Sequence, residues 1–206
     1  MSANGFPSQQ RRIGLTGGIA TGKTTVSDYL AHNHHFPVLD ADMYARMAVE
    51  KGSPVLQSLV QRYGQQILLE NGHLNRPKLG EIIFADEQER RWVEGQIHPY
   101  VRSRFVEEFN HQGNCVVLVV PLLFEANFTD LVTEIWVISC TYEQQIQRLM
   151  ERNHLTQEAA ASRIQAQMPL PEKKARAHVV LDNSHTQEYL FRQVDGAVGW
   201  KSPKFS

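Results

Sequence analysis

The chain has 206 residues, and its 21 Lys and Arg against 22 Asp and Glu leave a formal net charge of -1. That length suits one α/β domain with insertions and is ample to bury a core, while the balanced charge excludes the broad basic surface of a nonspecific nucleic-acid binder, so any anion site has to be local. No run approaches the roughly 18 to 20 apolar residues of a membrane span, and MSANGFPSQQRR carries no apolar signal core, so a cytoplasmic protein without nucleic-acid or membrane partners is expected.

Residues 1–11 are polar and contain Gly, Pro, Ser and Gln; they are expected to form a disordered extension, with regular structure from Arg12. RIGLT (12–16) is a short β-rich run. Directly after it Gly17, Gly18, Ile19, Ala20, Thr21, Gly22, Lys23 and Thr24 fit G-x-x-x-x-G-K-[ST], and TTVSDYLAHN continues as a helical pattern. The glycines let backbone N–H groups turn inward around a polyphosphate, and the helix N-terminus adds its dipole. Lys23 is expected on the β- and γ-phosphates of a nucleoside triphosphate and the Thr24 hydroxyl on Mg²⁺, with Thr25 in the same first turn. His32, His34 and His35 follow at the end of this helix, where they suit the dipole better than a metal.

A second run, FPVLD (36–40), leads into Leu39-Asp40-Ala41-Asp42. Ligands of open α/β sheets bind outside the carboxyl ends of strands, so the two carboxylates should face the triphosphate. Two residues apart in extended chain, they point the same way. One could hold metal-bound water while the other accepts the proton of an attacking hydroxyl; capping of a helix that opens near Met43 is the alternative.

From Asp40 to Cys115 there are 74 intervening residues, far more than a crossover needs, which calls for a largely helical insertion. Within it SPVLQSLVQRYG (53–64) is a helical pattern closed by Gly64, and ENGHLNRPKLG reads as a turn. An amphipathic stretch from Asp86 to Asn110 is expected to break at Pro99, just after His98.

CVVLVVP (115–121) is apolar without alternation, which points to the sheet centre. It ends in Pro121 where a motor-type ATPase has an acidic residue, and no N-K-x-D guanine motif occurs, so neither a motor ATPase nor a GTPase fits. EIWVISC (134–140) and HVVLD (178–182) complete five β-rich runs, which specify a parallel sheet with helices on both faces. Cys115 and Cys140, each inside such a run, read as two buried thiols. Between the last two runs, TYEQQIQRLMERN and TQEAAASRIQAQ are two helices, the second opened by Thr156. This region carries Arg148, Arg152, Arg163, Lys173, Lys174 and Arg176, with Pro169 and Pro171 before the last three. It is similar to a lid that closes arginines over a transferring phosphoryl group, with Arg148 the favoured phosphate ligand. Solvated helix faces beside Glu143 and Glu151 are the other reading of these arginines.

Taken in order, LTGGIATGKTTV (15–26), LDADMYAR (39–46), YGQQIL (63–68), NGHLNR (71–76), IIF (82–84), IHPYV (97–101), VVPLLFE (119–125), QRLMERN (147–153), RIQAQMPLPEKKARA (163–177) and VVLDNS (179–184) carry a resemblance. The chain resembles the dephospho-coenzyme A kinases, which use ATP to phosphorylate the ribose 3′-hydroxyl of dephospho-CoA in the last step of coenzyme A synthesis. The resemblance implies a P-loop NTPase-type α/β fold, a three-layer sandwich around a five-stranded parallel sheet. It divides the chain into a nucleotide-binding core (12–52, 111–140 and 177–206), a helical CoA-binding insertion (53–110) and a helical lid (141–176). It implies Asp42 as catalytic base, Asp40 as the acid supporting the metal, Arg148 and Arg152 as lid residues toward ATP, and Asn183 near the adenine. Arg46, His98, Pro121, Leu122, Leu123 and Phe124 fall on the acceptor side. ATP and Mg²⁺ are the implied cofactors and dephospho-CoA the partner; a monomer is the expected state, with a weak oligomer as the alternative. Ala20 stands where the family usually has Gly, a change that retains the N–H. Without the resemblance, two other functions fit the same motifs: a kinase of nucleoside monophosphates or shikimate, and a nucleotide-switched binding protein.

Overall fold

The computed structural model describes residues 10–199. In chain order the elements are β1 (Arg11–Gly17), α1 (Lys23–Asn33), β2 (Val38–Asp40), α2 (Ala41–Ala48), α3 (Pro54–Tyr63), α4 (Arg76–Ala85), α5 (Glu87–Phe109), β3 (Cys115–Val119), β4 (Glu134–Ser139), α6 (Tyr142–Asn153), α7 (Gln157–Gln165), α8 (Leu170–Ala175), β5 (Val179–Asp182) and α9 (Gln187–Gly199). They divide into two compact units, one reaching Asp40 and resuming at Phe109, the other spanning Ala41–Glu108. The second unit includes α2.

The first unit is an α/β fold on a five-stranded sheet in the order β2-β3-β1-β4-β5, every pairing parallel. Ile13 of β1 stands opposite Val117 of β3 on one side and Glu134 of β4 on the other. The middle place thus goes to β1, and the unbroken apolar run of β3 lies beside it. Apolar continuity reports that both faces of a strand are covered, which is true of every interior strand and does not rank them. On one face Ile13, Leu15, Val117, Val119, Trp136, Ile138 and Leu181 pack against Val26 and Leu30 of α1 and Leu190, Val194 and Ala197 of α9. The i, i+4 and i, i+4, i+7 spacings on these helices form the stripes that cover the sheet.

Residues 1–9 of the expected extension lie outside the described residues, but Gln10 and Arg11 are part of this unit. Gln10 is buried, and its side-chain N–H donates to the carbonyls of Phe109 (3.0 Å) and Gly113 (2.9 Å). Arg11 pairs with Glu134, which is 0% exposed and also accepts from Trp136 Nε1 at 2.9 Å. The same guanidinium donates to the carbonyls of Ala197 (3.0 Å) and Val198 (2.7 Å) at the end of α9, where helical carbonyls lack intrahelical partners.

In the second unit Val49, Leu56, Leu59, Ile67, Leu74, Leu79 and Val93 form the core. Ser53 caps α3 by accepting from the Leu56 N–H at 3.0 Å, and Gly64 ends it at φ 79°, as the sequence pattern foresees. Two expectations fail here. RPKLG begins α4 instead of belonging to a turn: Asn75 caps it by accepting from the Lys78 N–H at 3.1 Å, and Pro77 sits in the first turn, where its missing N–H costs nothing. Pro99 lies inside α5 without ending it. The residue four positions earlier, whose carbonyl the proline ring crowds, is Gly95, and the helix is held on its buried face by Val93, Val101 and Phe105. Arg62 and Tyr63 of α3 grip Glu89 of α5 through two guanidinium bonds of 2.7 Å and a phenol bond of 2.6 Å, with Arg62 also over the Trp92 ring. Among the described residues no helix is long and apolar enough to cross a membrane.

Candidate active site

The loop from Gly17 to Gly22 joins β1 to α1 in a conformation that its residue types permit. A Cβ on Gly17 would lie 2.4 Å from the Ile138 carbonyl oxygen; one on Gly22, at φ 102°, would lie 2.2 Å from Asn183 Nδ2. Thr21 is fully buried and its hydroxyl donates to the Gly18 carbonyl at 2.9 Å. Ala20 has φ 61°, a left-handed conformation that costs a residue with a Cβ about 1–2 kcal/mol. No side chain caps α1 and no acidic residue lies in its first turn, so its opening amides suit an anion. Lys23 reaches back over the loop, its Nζ donating to the carbonyls of Gly17 (3.2 Å) and Gly18 (2.8 Å). Thr24 is exposed in the first turn and Thr25 half-buried.

Several distant residues converge on this loop. Asn183, just after β5, donates through Nδ2 to the Thr21 carbonyl at 2.8 Å, and Arg148 of α6 donates to the Asn183 carbonyl at 3.0 Å. Arg152, one turn further along α6, is exposed and bonds the neighbouring Asn153. Lys173 of α8 is fully buried, donating to Glu125 Oε1 (2.9 Å) and the Pro121 carbonyl (3.1 Å), and Arg176 stacks on Phe124 with its guanidinium carbon 4.2 Å from the ring centroid. Arg148, Arg152, Lys173 and Arg176 therefore each meet a different partner. Of the expected acceptor stretch, Leu123 and Phe124 are core, Leu122 is 37% exposed, and the Pro121 carbonyl also accepts from Thr16 Oγ1 at 3.2 Å. A cavity of about 550 Å³ opens beside Gly18, lined by Tyr142 and Gln145 of α6 and by Ile164, Met168, Leu170 and Lys174.

Asp40 is half-buried at the end of β2, paired in register with Val119. Asp42 does not continue that strand. Ala41 opens α2, earlier than the expected start near Met43, so the extended-chain geometry foreseen for the two carboxylates does not hold. Asp42 is exposed in the first turn of α2, where an acid suits the helix dipole. In the second unit Asp42 and Arg46, four apart on α2, line a cavity of about 290 Å³ with Arg76, Leu79, Ile83 and Ile97. His98 on α5 is half-buried; burial pushes its imidazole pKa down against the pull of Glu94.

The thiols are half-buried rather than buried. Desolvation raises Cys115 to about 11 and also raises Cys140, where Arg148 opposes it, so neither is a ready nucleophile. His32 Nδ1 lies 2.7 Å from the Asp28 carbonyl, and His34 Nε2 lies 2.8 Å from Asp195. Among the described residues no three His, Cys, Asp or Glu side chains gather as a metal site. The donors that fit a hard cation are oxygens, the Thr24 hydroxyl in the first turn of α1 and the Asp40 carboxylate at the end of β2, a strand separated from β1 by β3.

Two residues that sequence reasoning passed over also touch the loop: Gln145 donates to the Ile19 carbonyl, and Gln167 accepts from the Ile19 N–H, both at 2.8 Å. Gln145 carried a signal, since it lies four before the fully buried Leu149 on the inward stripe of α6. Gln167 lies inside RIQAQMPLPEKKARA, a stretch that carries the resemblance, but no role was attached to it there.

A family model described as dephospho-CoA kinase matches residues 11–188. The dephospho-CoA kinase of Trichormus variabilis is 59% identical over 193 residues, covering 93% of this chain and 98% of that protein. Among solved structures, a protein of Thermus thermophilus superposes with a TM-score of 0.80 at 31% identity, covering 93% of this chain and 97% of its own. The dephospho-CoA kinase of Campylobacter jejuni superposes with a TM-score of 0.68 at 23% identity over 91% and 94% of the two chains, which speaks for the fold.

Proposed function

We propose that this chain, which belongs to the dephospho-CoA kinase family, transfers the γ-phosphoryl group of ATP to the ribose 3′-hydroxyl of dephospho-CoA, giving coenzyme A and ADP. The observation that carries the proposal is the phosphate loop: two glycines that neighbouring atoms require, an uncapped helix start behind them and Lys23 across the mouth. In this mechanism the loop amides and the first turn of α1, through Thr25, hold the β- and γ-phosphates, and Lys23 exchanges its two loop carbonyls for phosphate oxygens. Thr24 and Asp40 would hold Mg²⁺, which when bound neutralises charge on the β- and γ-phosphates. Asp42 accepts the proton of the 3′-hydroxyl as its oxygen bonds to the γ-phosphorus, and the bond from that phosphorus to the bridging oxygen breaks to release ADP. Arg148 and Arg152 serve the nucleotide from the lid and Asn183 lies toward the adenine. Arg46, His98, Pro121 and Leu122 serve the acceptor, with Leu123 and Phe124 as core beneath that stretch. The enzyme acts as a monomer in the cytoplasm.

A coupled ADP-release assay tests this. Dephospho-CoA should give one ADP per acceptor consumed, and AMP, shikimate or no acceptor should give only background. Release with AMP or shikimate instead would transfer the proposal to a different metabolite kinase. Slow hydrolysis indifferent to every acceptor would favour a nucleotide-switched binding protein.

A further inference from the structure

Both backbone polar groups of Ile19 are held by side chains from the helical segment that follows β4. Gln145 Nε2 donates to its carbonyl and Gln167 Oε1 accepts from its N–H, each at 2.8 Å. The approach of Gln145, only 3% exposed, depends on Gly18, because a Cβ there would lie 2.5 Å from Nε2. The next residue is Ala20 at φ 61°, and a left-handed conformation outside glycine persists only where its surroundings over-determine it. Gln167 is itself anchored. The N–H of the following Met168 donates to Glu125 Oε1 at 3.1 Å, the oxygen that also pairs with the fully buried Lys173. Lys173 closes the circuit on the Pro121 carbonyl, which accepts from Thr16 at the end of β1.

We propose that Gln145 and Gln167 are positioning residues that clamp Ile19 and thereby impose the left-handed turn at Ala20 that shapes the phosphate loop, with the Glu125–Lys173 pair fixing the Gln167 arm. The clamp makes the shape of the loop depend on the seating of the segment that carries Arg148 and Arg152. This rests on the loop being the Mg·ATP site.

The test is calorimetric titration of Mg·ATP into the full chain, with steady-state ADP release on dephospho-CoA in parallel. Gln167→Leu removes the acceptor at similar size and should weaken Mg·ATP binding about tenfold, the upper range for one hydrogen bond. It should raise KM for ATP by the same factor with kcat within about twofold, because a preformed loop serves ground state and transition state alike. Ala20→Gly, which adopts φ 61° without strain, should restore the affinity of the Gln167→Leu variant to within about threefold of wild type. Wild-type affinity in Gln167→Leu, a fall in kcat in place of the rise in KM, or no rescue by Ala20→Gly would each overturn the clamp. Should the wild type bind Mg·ATP yet ignore dephospho-CoA, the proposed reaction fails while the titrations still decide the clamp.

Discussion

Asp42 and Ala20 show how far single residues can be read. The Asp-x-Asp pattern marked a carboxylate after β2, but its geometry depended on where the strand stops, and the helix begins one residue after Asp40. On the proposed role, Asp42→Asn should lower turnover by about a hundredfold or more, the scale of general-base catalysis, while Mg·ATP affinity stays near wild type. Unchanged turnover would assign the proton to another group. Ala20 was visible as an oddity of the motif, but its φ of 61° and the two glutamines beside it were not, because Gln145 and Gln167 lie more than a hundred residues away in sequence.

Among the elements, the five strands lie within two residues of the runs that foretold them, since β-rich composition and bounding turn residues are local signals. The misses at α4 and Pro99 share a cause: Pro and Gly break structure in general, yet Pro77 sits in a first turn and Pro99 in a helix whose packing outweighs it. Arg11 at the start of β1 looked like a polar tail, whereas it neutralises Glu134 inside the fold. Arg11→Leu leaves that carboxylate buried without its cation and should cost about 3–5 kcal/mol, measurable by urea denaturation; Glu134→Gln in the same background should recover part of the loss. Between α3 and α5, Arg62 and Tyr63 hold Glu89 down to about 2 from an ordinary 4.5. A carboxylate with a depressed folded pKa lends stability that is complete above 4.5 and disappears as pH falls toward 2. The difference in melting temperature between wild type and Glu89→Gln should therefore shrink across that window; a constant difference would mean that the charge on Glu89 is immaterial.

For the molecule as a whole, ligand binding to the folded state alone adds stability by mass action, about 2.7 kcal/mol at a hundred times Kd. In a chain of this size Mg·ATP should then raise the melting temperature by about 5–10 °C. Lys23→Ala should abolish most of that shift, because it removes the ammonium that lies on the Gly17 and Gly18 carbonyls of the loop. An undiminished shift would remove Lys23 from the phosphate site.

The sequence by itself determined the sheet's strands, the phosphate loop with its helix, and the family, because these rest on short-range spacing and on motifs in fixed order. Tertiary structure alone decided that β1 takes the middle of the sheet, that Lys173 is buried against Glu125, and that two glutamines hold Ile19. Each of these is a pairing of groups far apart along the chain, selected by which buried donor meets which buried acceptor once the core has formed, and a linear pattern does not encode that.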